Sequence, residues 1–380
     1  MKIDKFIVGQ KNLVNILTAM QPICTKRTTI DATASILFQV SHKELILKST
    51  DLEVSLQYSC ELIDSNLEET RVFLVNGKKI FELTKELDGQ IEFQINSSNI
   101  VINCGTVHLS LNIKDAQEFP PLPERIENMM QLKADDLLAM FEKVAFLIPQ
   151  NNSNPALNGL LIEASRDQLK LTATDGHCLA QVCSEQYRLD QAQNWLLPRR
   201  AVFELKKIVE TGTDQEIFMG LCDNQLVFSG SAFNFFSKLL VDAFPEYQAI
   251  MSKKGFYKCA VKKDLLVRTL RRSACLLSGQ FIATEFGFEN SKLNVMMQNK
   301  EIGSLEETLE LDEFNGSKLD IRFYAPYLLN GLQVFNDKQA NINFYLSSKQ
   351  QPIIFEHHQG KIDFTYLAMP VSATNNSQNE

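Results

Sequence analysis

VFLVNGKKIFELTKEL (residues 72–87), WLLPRRAVFELKKIV (195–209) and IRFYAPYLLNGLQVF (321–335) are three versions of one cassette, a short apolar strand running straight into a helix. Another cassette stands ahead of each. LVNIL (13–17), LLAMF (137–141) and LVRTL (266–270) open stretches with apolar residues at helical spacing. Leu13 lies 124 residues before Leu137, Leu137 lies 129 before Leu266, and Lys78 lies 121 before Arg199. The chain of 380 residues is therefore read as three copies of one domain, a number its length accommodates.

Between the helices lie runs with the alternation or apolar continuity of strands. The first repeat carries ILFQV (36–40), ELILKST (44–50) and EVSLQY (53–58), then IEFQIN (91–96), NIVINC (99–104) and HLSLNI (108–113) after its second helix. LLIEAS (160–165), LKLTATD (169–175), EIFMGLC (216–222), QLVFSG (225–230) and FFSKLLV (235–241) follow in the second, and EFGFE (285–289), LNVMMQ (293–298), NINFYL (341–346) and PIIFEH (352–357) in the third. Helices interleaved with antiparallel hairpins predict an α+β layer fold. Turn residues mark the joints: EFPPLPE (118–124) and AFPEYQAIMSKKG (243–255) each place a Phe-Pro pair after a strand, with Pro120 and Pro245 125 residues apart. The expected domains are 1–124, 125–253 and 254–380, the last ending in a polar tail, SATNNSQNE (372–380), without apolar anchors.

Hydrophobic content of 44% and charged content of 22% are those of an ordinary globular protein. No apolar run has the length of a membrane span, and the charged start MKIDKFIVGQK lacks the apolar core of a signal peptide, so a cytoplasmic protein is expected. The eight cysteines are scattered without a C-x-x-C pair and are read as reduced thiols. Net charge is −8, yet the six helical stretches (9–27, 77–88, 133–148, 198–211, 262–277 and 324–335) carry 17 Lys/Arg and 9 Asp/Glu, a net +8 that leaves −16 for the rest. Basic helices on an acidic body suit a protein with one surface turned to phosphate; ordinary solvated helix faces would give the same count.

A reaction centre is missing. There is no nucleophile elbow, P-loop, dinucleotide fingerprint or H-E-x-x-H, and no cofactor or metal is expected. Asp175 and His177 in TATDGHCLA are better read as a hairpin turn or surface contact than as an acid/base pair. His357 and His358, beside Gln359 and Gly360, are expected to be exposed in a turn, and Trp195 to be core.

Four strings carry a resemblance. LNGLLIEASRDQLKLTATDGHCLA (157–180), LLPRRAVFELKKIV (196–209), FFSKLLVDAFPEYQAI (235–250) and TYLAMPV (365–371), in this order, resemble the bacterial DNA polymerase III β subunit family, the sliding clamps. The likeness extends over essentially the whole chain. It implies three clamp domains, helices lining a ring, antiparallel sheets outside, and head-to-tail homodimerisation, which is a legitimate closed assembly. It also implies a non-catalytic processivity factor whose partners are duplex DNA of any sequence, the replicative polymerase catalytic subunit, the clamp loader and other clamp-binding repair and replication proteins, with no membrane.

The resemblance assigns residues to three surfaces. DNA contact falls to Arg27, Lys78, Lys79, Arg199 and Arg200. A partner-peptide pocket falls to Leu157, Thr174, Gly176, His177, Leu179, Pro245, Ile250, Leu367, Met369, Pro370 and Val371. The dimer interface falls to Leu109 and Leu111 against Arg271, Arg272, Leu276, Leu277, Glu306 and Glu307. The chain departs from the family pattern at Cys178 and Ala249, where members often carry Arg, at Asn154, Pro155 and Ala156, which replace an Arg/Tyr-rich stretch, and across TTIDATASI (28–36). A three-domain interaction scaffold that does not encircle DNA is the alternative, and an enzyme using the TDGH turn comes third.

Overall fold

The computed structural model describes residues 3–123, 126–277, 282–314, 316–335 and 341–371; the polar tail 372–380 lies outside them. Six α-helices are found among these residues: α1 (Gln10–Cys24), α2 (Gly77–Lys85), α3 (Ala134–Val144), α4 (Arg199–Thr211), α5 (Lys263–Ala274) and α6 (Ala325–Gln333). They fall in pairs on the two cassettes of each repeat, as the periodicity predicts. Helix α1 shows why it forms: Leu13, Ile16, Leu17, Met20, Ile23 and Cys24 recur on one face and are all buried. Each fully buried aliphatic side chain of this row contributes about 1.5–3 kcal/mol of transfer free energy. Helix α2 begins where Asn76 Oδ1 accepts the Lys79 N–H at 3.0 Å, an N-cap that satisfies one of the free amides of the first turn.

The described chain packs as two compact units, one from residues up to Leu138 with Arg200–Leu239, the other from Ala139–Arg199 with residues from Leu240 onward. In the first unit one antiparallel sheet of 13 strands runs through the strands of repeat one and into those of repeat two. Its join is the pairing of Phe233–Lys238 with Val54–Glu61, in which Phe235 faces Leu56. In the second unit a sheet of nine strands joins repeats two and three, beside a separate sheet of four. Here the join is Ile362–Ala368, which pairs with Cys178–Ser184 on one side and with Ile353–Gln359 on the other. Sheets therefore cross the repeat boundaries, so the compact units do not coincide with the sequence repeats.

Several strands are absent from the sequence reading: Asp4–Gly9, Glu127–Lys133, Cys178–Ser184, Tyr257–Lys262 and Gly303–Glu310. The last, GSLEETLE, escapes notice because its inward face, Leu305, Glu307 and Leu309, is itself interrupted by a charge while the other side faces solvent. His357 corrects the expectation of exposure. It is half-buried, its ring edge-to-face on Phe335 at 5.4 Å, because it lies inside Ile353–Gln359 rather than in the turn. His358 is the exposed one and pairs with Asp363 at 2.6 Å. Trp195 is buried. Among the described residues no helix is long and apolar enough to cross a membrane.

Gly331 lets α6 pack directly on a ring of the sheet. A Cβ there would stand 2.1 Å from Tyr366 Cε1, and Tyr366 is fully buried with its hydroxyl donating to Tyr327 O at 2.6 Å. Only glycine lets α6 lie this close to the ring.

Candidate functional site

The TDGH string folds as the tight hairpin between Leu169–Thr174 and Cys178–Ser184. Asp175 Oδ1 accepts the N–H groups of His177 (2.8 Å) and Cys178 (2.7 Å), Gly176 N–H donates to Thr174 Oγ1 (3.1 Å), and Gly176 takes φ of +93°. The carboxylate is thereby committed to holding a turn, which removes the acid/base reading. Burial, followed by the Asp175 charge, pushes the Cys178 thiol up to about 12, so it is no nucleophile at neutral pH.

This hairpin anchors the residues after Ala368. Met369 N–H donates to His177 O at 2.9 Å and Val371 N–H to Arg322 O at 2.9 Å, while the His177 ring stacks on Tyr327 at 5.4 Å. The strand register sets Leu179 opposite Leu367 and Leu367 opposite Ile354. These three, with Ala156, Leu161, Leu196 and Tyr247, form a buried apolar cluster. Ile250 and Met369 pack on it half-buried, together with Phe244 and Tyr345. The structure thus gathers Leu179, Ile250, Leu367 and Met369 directly. Leu157 comes beside Gly176, whose Cβ would lie 3.8 Å from Leu157 Cδ1, and Thr174 is buried in the turn. Pro245 is exposed between the packed Phe244 and Tyr247, and Pro370 and Val371 are half-buried.

A polar network lies beneath the apolar cluster. Tyr247 Oη donates to Glu163 Oε2 and accepts from Gln181 Nε2 (3.0 Å) and Thr172 Oγ1 (3.4 Å), while Gln181 Nε2 also reaches Thr172 Oγ1 (2.9 Å). Burial first, and the Glu163 carboxylate second, hold the Tyr247 phenol well above its ordinary pKa, so it remains a donor. Tyr247 of the FPEY string is absent from the pocket that the resemblance assigns. The signal was a tyrosine three residues after Phe244 in a segment already assigned to the pocket. Tyr345 carries Lys253 Nζ over its ring at 4.5 Å, and Lys253 pairs with Glu356 at 2.6 Å.

The basic residues divide into two kinds. Arg27 is exposed, and Lys78 and Lys79 keep 63% and 62% of their side-chain surface, both pairing with Glu82 at 3.8 and 3.1 Å. Arg199 and Arg200 are half-buried and engaged. Arg199 Nε donates to Ile148 O at 3.0 Å, and Arg200 pairs through Nη1 with the buried Asp51 and donates from Nη2 to Pro22 O at 3.1 Å. The two arginines at the start of α4 thus also serve their own fold.

Leu109 and Leu111 are half-buried on Val107–Lys114. That strand pairs along its length with Asn99–Cys104 but meets Arg71–Asn76 only at Ile113 and Lys114, so the edge at Leu109 and Leu111 is unpaired. Gly303–Glu310, which carries Glu306 and Glu307, is the edge strand of the four-stranded sheet. Arg272 grips Glu307 of its own chain, and Glu306 and Arg271 are exposed. Leu276 and Leu277 follow α5 half-buried, with Leu276 O held by Asn299 Nδ2 at 2.6 Å.

Repeated pairs of helices on antiparallel sheets, with an apolar cluster gathered from distant segments, define a multidomain α+β protein. Three family models match in order: the N-terminal domain of the DNA polymerase III beta subunit over residues 4–123, its central domain over 131–246 and its C-terminal domain over 249–372. Among relatives, the beta sliding clamp of Pseudomonas putida is 26% identical over 96% of this chain and 99% of its own length. That of Escherichia coli K12 is 25% identical over 97% and 99%. A crystal structure of the sliding clamp from Pseudomonas aeruginosa is similar with a TM-score of 0.87 at 24% identity, covering 97% of this chain and 100% of that one. One from Bacillus subtilis gives 0.87 at 22%, covering 98% and 100%. The chain belongs to the bacterial DNA polymerase III beta subunit family, and its function is that of a sliding clamp, a non-catalytic subunit of the polymerase.

Proposed function

We propose that the chain forms three clamp domains, 1–124, 125–253 and 254–380, and that two copies close head to tail into a ring around duplex DNA in the cytoplasm. The two unpaired strand edges support the closure. Val107–Lys114 of one copy presents Leu109 and Leu111, and Gly303–Glu310 of the other presents its edge beside Leu276, Leu277 and Arg271. An unpaired edge invites a partner strand, and a small apolar core with a polar rim is usual for such contacts. Within the ring, Arg27, Lys78 and Lys79 are the exposed cations that meet phosphate. Arg199 and Arg200 contribute by fixing the start of α4.

The observation that carries the reading is the convergence of Leu179, Ile250, Leu367 and Met369, from distant segments, on one half-open apolar cluster. Such a cluster suits short peptides with aliphatic or aromatic anchors, and Met369 adapts to several guests. Its guests are segments of the replicative polymerase catalytic subunit, of the clamp loader and of repair and replication proteins. A ring that tethers them to DNA raises their effective concentration, so weak peptide contacts suffice.

Sedimentation equilibrium at micromolar concentration tests the ring: twice the 43.1 kDa chain mass is expected, falling to one chain in Leu276→Ala/Leu277→Ala. A single-chain mass for the unaltered protein would remove the ring and leave an interaction scaffold. Lys78→Ala/Lys79→Ala should weaken binding equally on unrelated duplexes and flatten the salt dependence by about 0.9 for each phosphate no longer neutralised. A sequence preference would contradict sliding.

A further inference from the structure

Glu92, Asn103 and His108 stand in one cross-strand row that runs to the open edge of Val107–Lys114: Glu92 lies opposite Asn103, and Asn103 opposite His108. Asn103 Nδ2 donates to Glu92 Oε1 at 3.1 Å, and Asn103 Oδ1 meets His108 Nδ1 at 2.8 Å. A carboxylate can only accept, so the amide turns its nitrogen to Glu92 and its oxygen to the ring, which makes Nδ1 the protonated nitrogen of the neutral imidazole. Hydrogen bonds from Gln94 and then Asn103 hold the Glu92 carboxyl below its ordinary value, so this orientation persists wherever an imidazole titrates. His108 is exposed, and its Nε2 is left as a bare acceptor that becomes a donor only when the ring is charged.

Strand faces decide what that nitrogen meets. On Val107–Lys114 the side carrying Leu109 and Leu111 is half-buried, and the side carrying His108 and Lys114 is exposed. On Gly303–Glu310 the side carrying Leu305 and Leu309 turns inward, and the side carrying Glu306 and Glu310 is exposed. Pairing of the two edges keeps like faces together, because successive side chains alternate across a sheet. Glu310 stands opposite Lys292 of its own chain, whereas Glu306 stands opposite the uncharged Met296. In its own chain the charged groups on the strands beside His108 are Glu92 and Lys5, 3.6 Å from one another, with Lys114 further along its own strand. Glu306 is therefore the carboxylate on the joined exposed face without a cation opposite it.

On the head-to-tail closure proposed above, we infer that His108 is a contact of the dimer that binds a proton as the ring closes, its imidazolium donating from Nε2 to Glu306 of the partner subunit. A neutral ring sets a lone pair against a carboxylate there, whereas a charged one makes a charge-assisted hydrogen bond. Two-fold symmetry gives each ring two such contacts. The charged form is favoured in the dimer and not in the separate chain, so closure takes up protons. Association therefore tightens as pH falls through the imidazole range, at about 6.5, and weakens above it.

The dissociation constant of the full chain is measured by fluorescence-detected sedimentation about one pH unit below and one above the imidazole range. Exposed ion pairs are individually weak, so two of them should tighten the dimer about fivefold at the lower pH. Acid also reduces the repulsion between chains of net charge −8, so variants isolate the contact. His108→Gln and Glu306→Gln should each remove most of the pH response, and His108→Lys should hold the dimer tight at both pH values. His358→Gln, which alters an exposed histidine on another strand, should keep the response. By NMR, the titration midpoint of the His108 ring should lie higher in the dimer than in the Leu276→Ala/Leu277→Ala monomer. A pH response that survives His108→Gln or Glu306→Gln, or equal midpoints in monomer and dimer, overturns the inference and leaves the ring standing; a single-chain mass at both pH values removes the ring and this contact together.

Discussion

Replacing Arg200 with alanine separates a structural role from a DNA-binding one. The Asp51 side chain has 0% exposure and that of Arg200 29%. Asp51 Oδ1 accepts from Glu53 N–H (3.0 Å) and Val54 N–H (2.9 Å), closing a turn in which Leu52 has φ of +76°. Oδ2 faces Arg200, with Lys26 Nζ 3.6 Å away. Removing one member of a buried ion pair costs about 3–5 kcal/mol. Partial exposure of Arg200 and the remaining Lys26 bring the expectation to about 2–3 kcal/mol. Hydrogen exchange at the amides of residues 53 and 54 reads this locally, which suits a chain of two units better than a single global melting curve.

Acid provides a second reading of the same contact. Burial pushes the Asp51 carboxyl up, but the Val54 N–H, the Arg200 guanidinium and the Glu53 N–H outweigh it and hold the group below its ordinary value. A folded pKa beneath the unfolded value of about 3.9 means the contribution is complete above about pH 4 and is lost as pH falls through the folded pKa. The gap between the unaltered chain and Arg200→Ala should therefore close in acid. Loss of DNA affinity with unchanged exchange, or a gap that does not narrow at all as pH falls below the unfolded carboxyl value of about 3.9, would refute the assignment and return the guanidinium to phosphate.

Truncation after Ala368 removes the Met369 N–H bond to His177 O and the Val371 N–H bond to Arg322 O, so binding of a fluorescent clamp-binding peptide should vanish while the dimer persists; deletion of 372–380 alone should change affinity less than about twofold. Gly331→Ala forces a Cβ into the Tyr366 ring and should lower stability by about 1–3 kcal/mol, read as a reduced denaturation midpoint. An unchanged midpoint would mean α6 can withdraw freely. Tyr247→Phe leaves Glu163 and Gln181 without their phenol partner and should cost about 1–3 kcal/mol, with peptide affinity falling as the pocket wall loosens; a neutral outcome in both measurements would show that water replaces the hydroxyl.

The helices were legible because Leu13, Ile16, Leu17 and Met20 repeat a pattern that only a helix places on one face. The sheets were legible strand by strand, but not in their joins. Nothing in CLAQVCS or in TYLA says that Cys178 and Ala368 face one another, since such pairing is set by how whole layers meet. The pocket residues followed from the resemblance, whereas Tyr247 escaped because its importance lies in buried hydrogen bonds to Glu163 and Gln181 that leave no periodic trace. Arg200 was visible as a cation, but its commitment to Asp51, in a distant hairpin, was not.

The pairing of Cys178–Ser184 with Ile362–Ala368 also sets an order of assembly during synthesis. Every strand of the 13-stranded sheet has been made once Lys238 is polymerised, so that sheet can close while the ribosome is still elongating. Cys178 must wait for Ala368, which at ~5–20 residues per second arrives on the order of 10–40 s later. Until then the Leu179 row lacks Leu367 and the hairpin at His177 lacks Met369. A nascent chain can thus carry a finished first sheet while the proposed docking cluster is still incomplete, which on that proposal keeps unfinished molecules out of competition for partners.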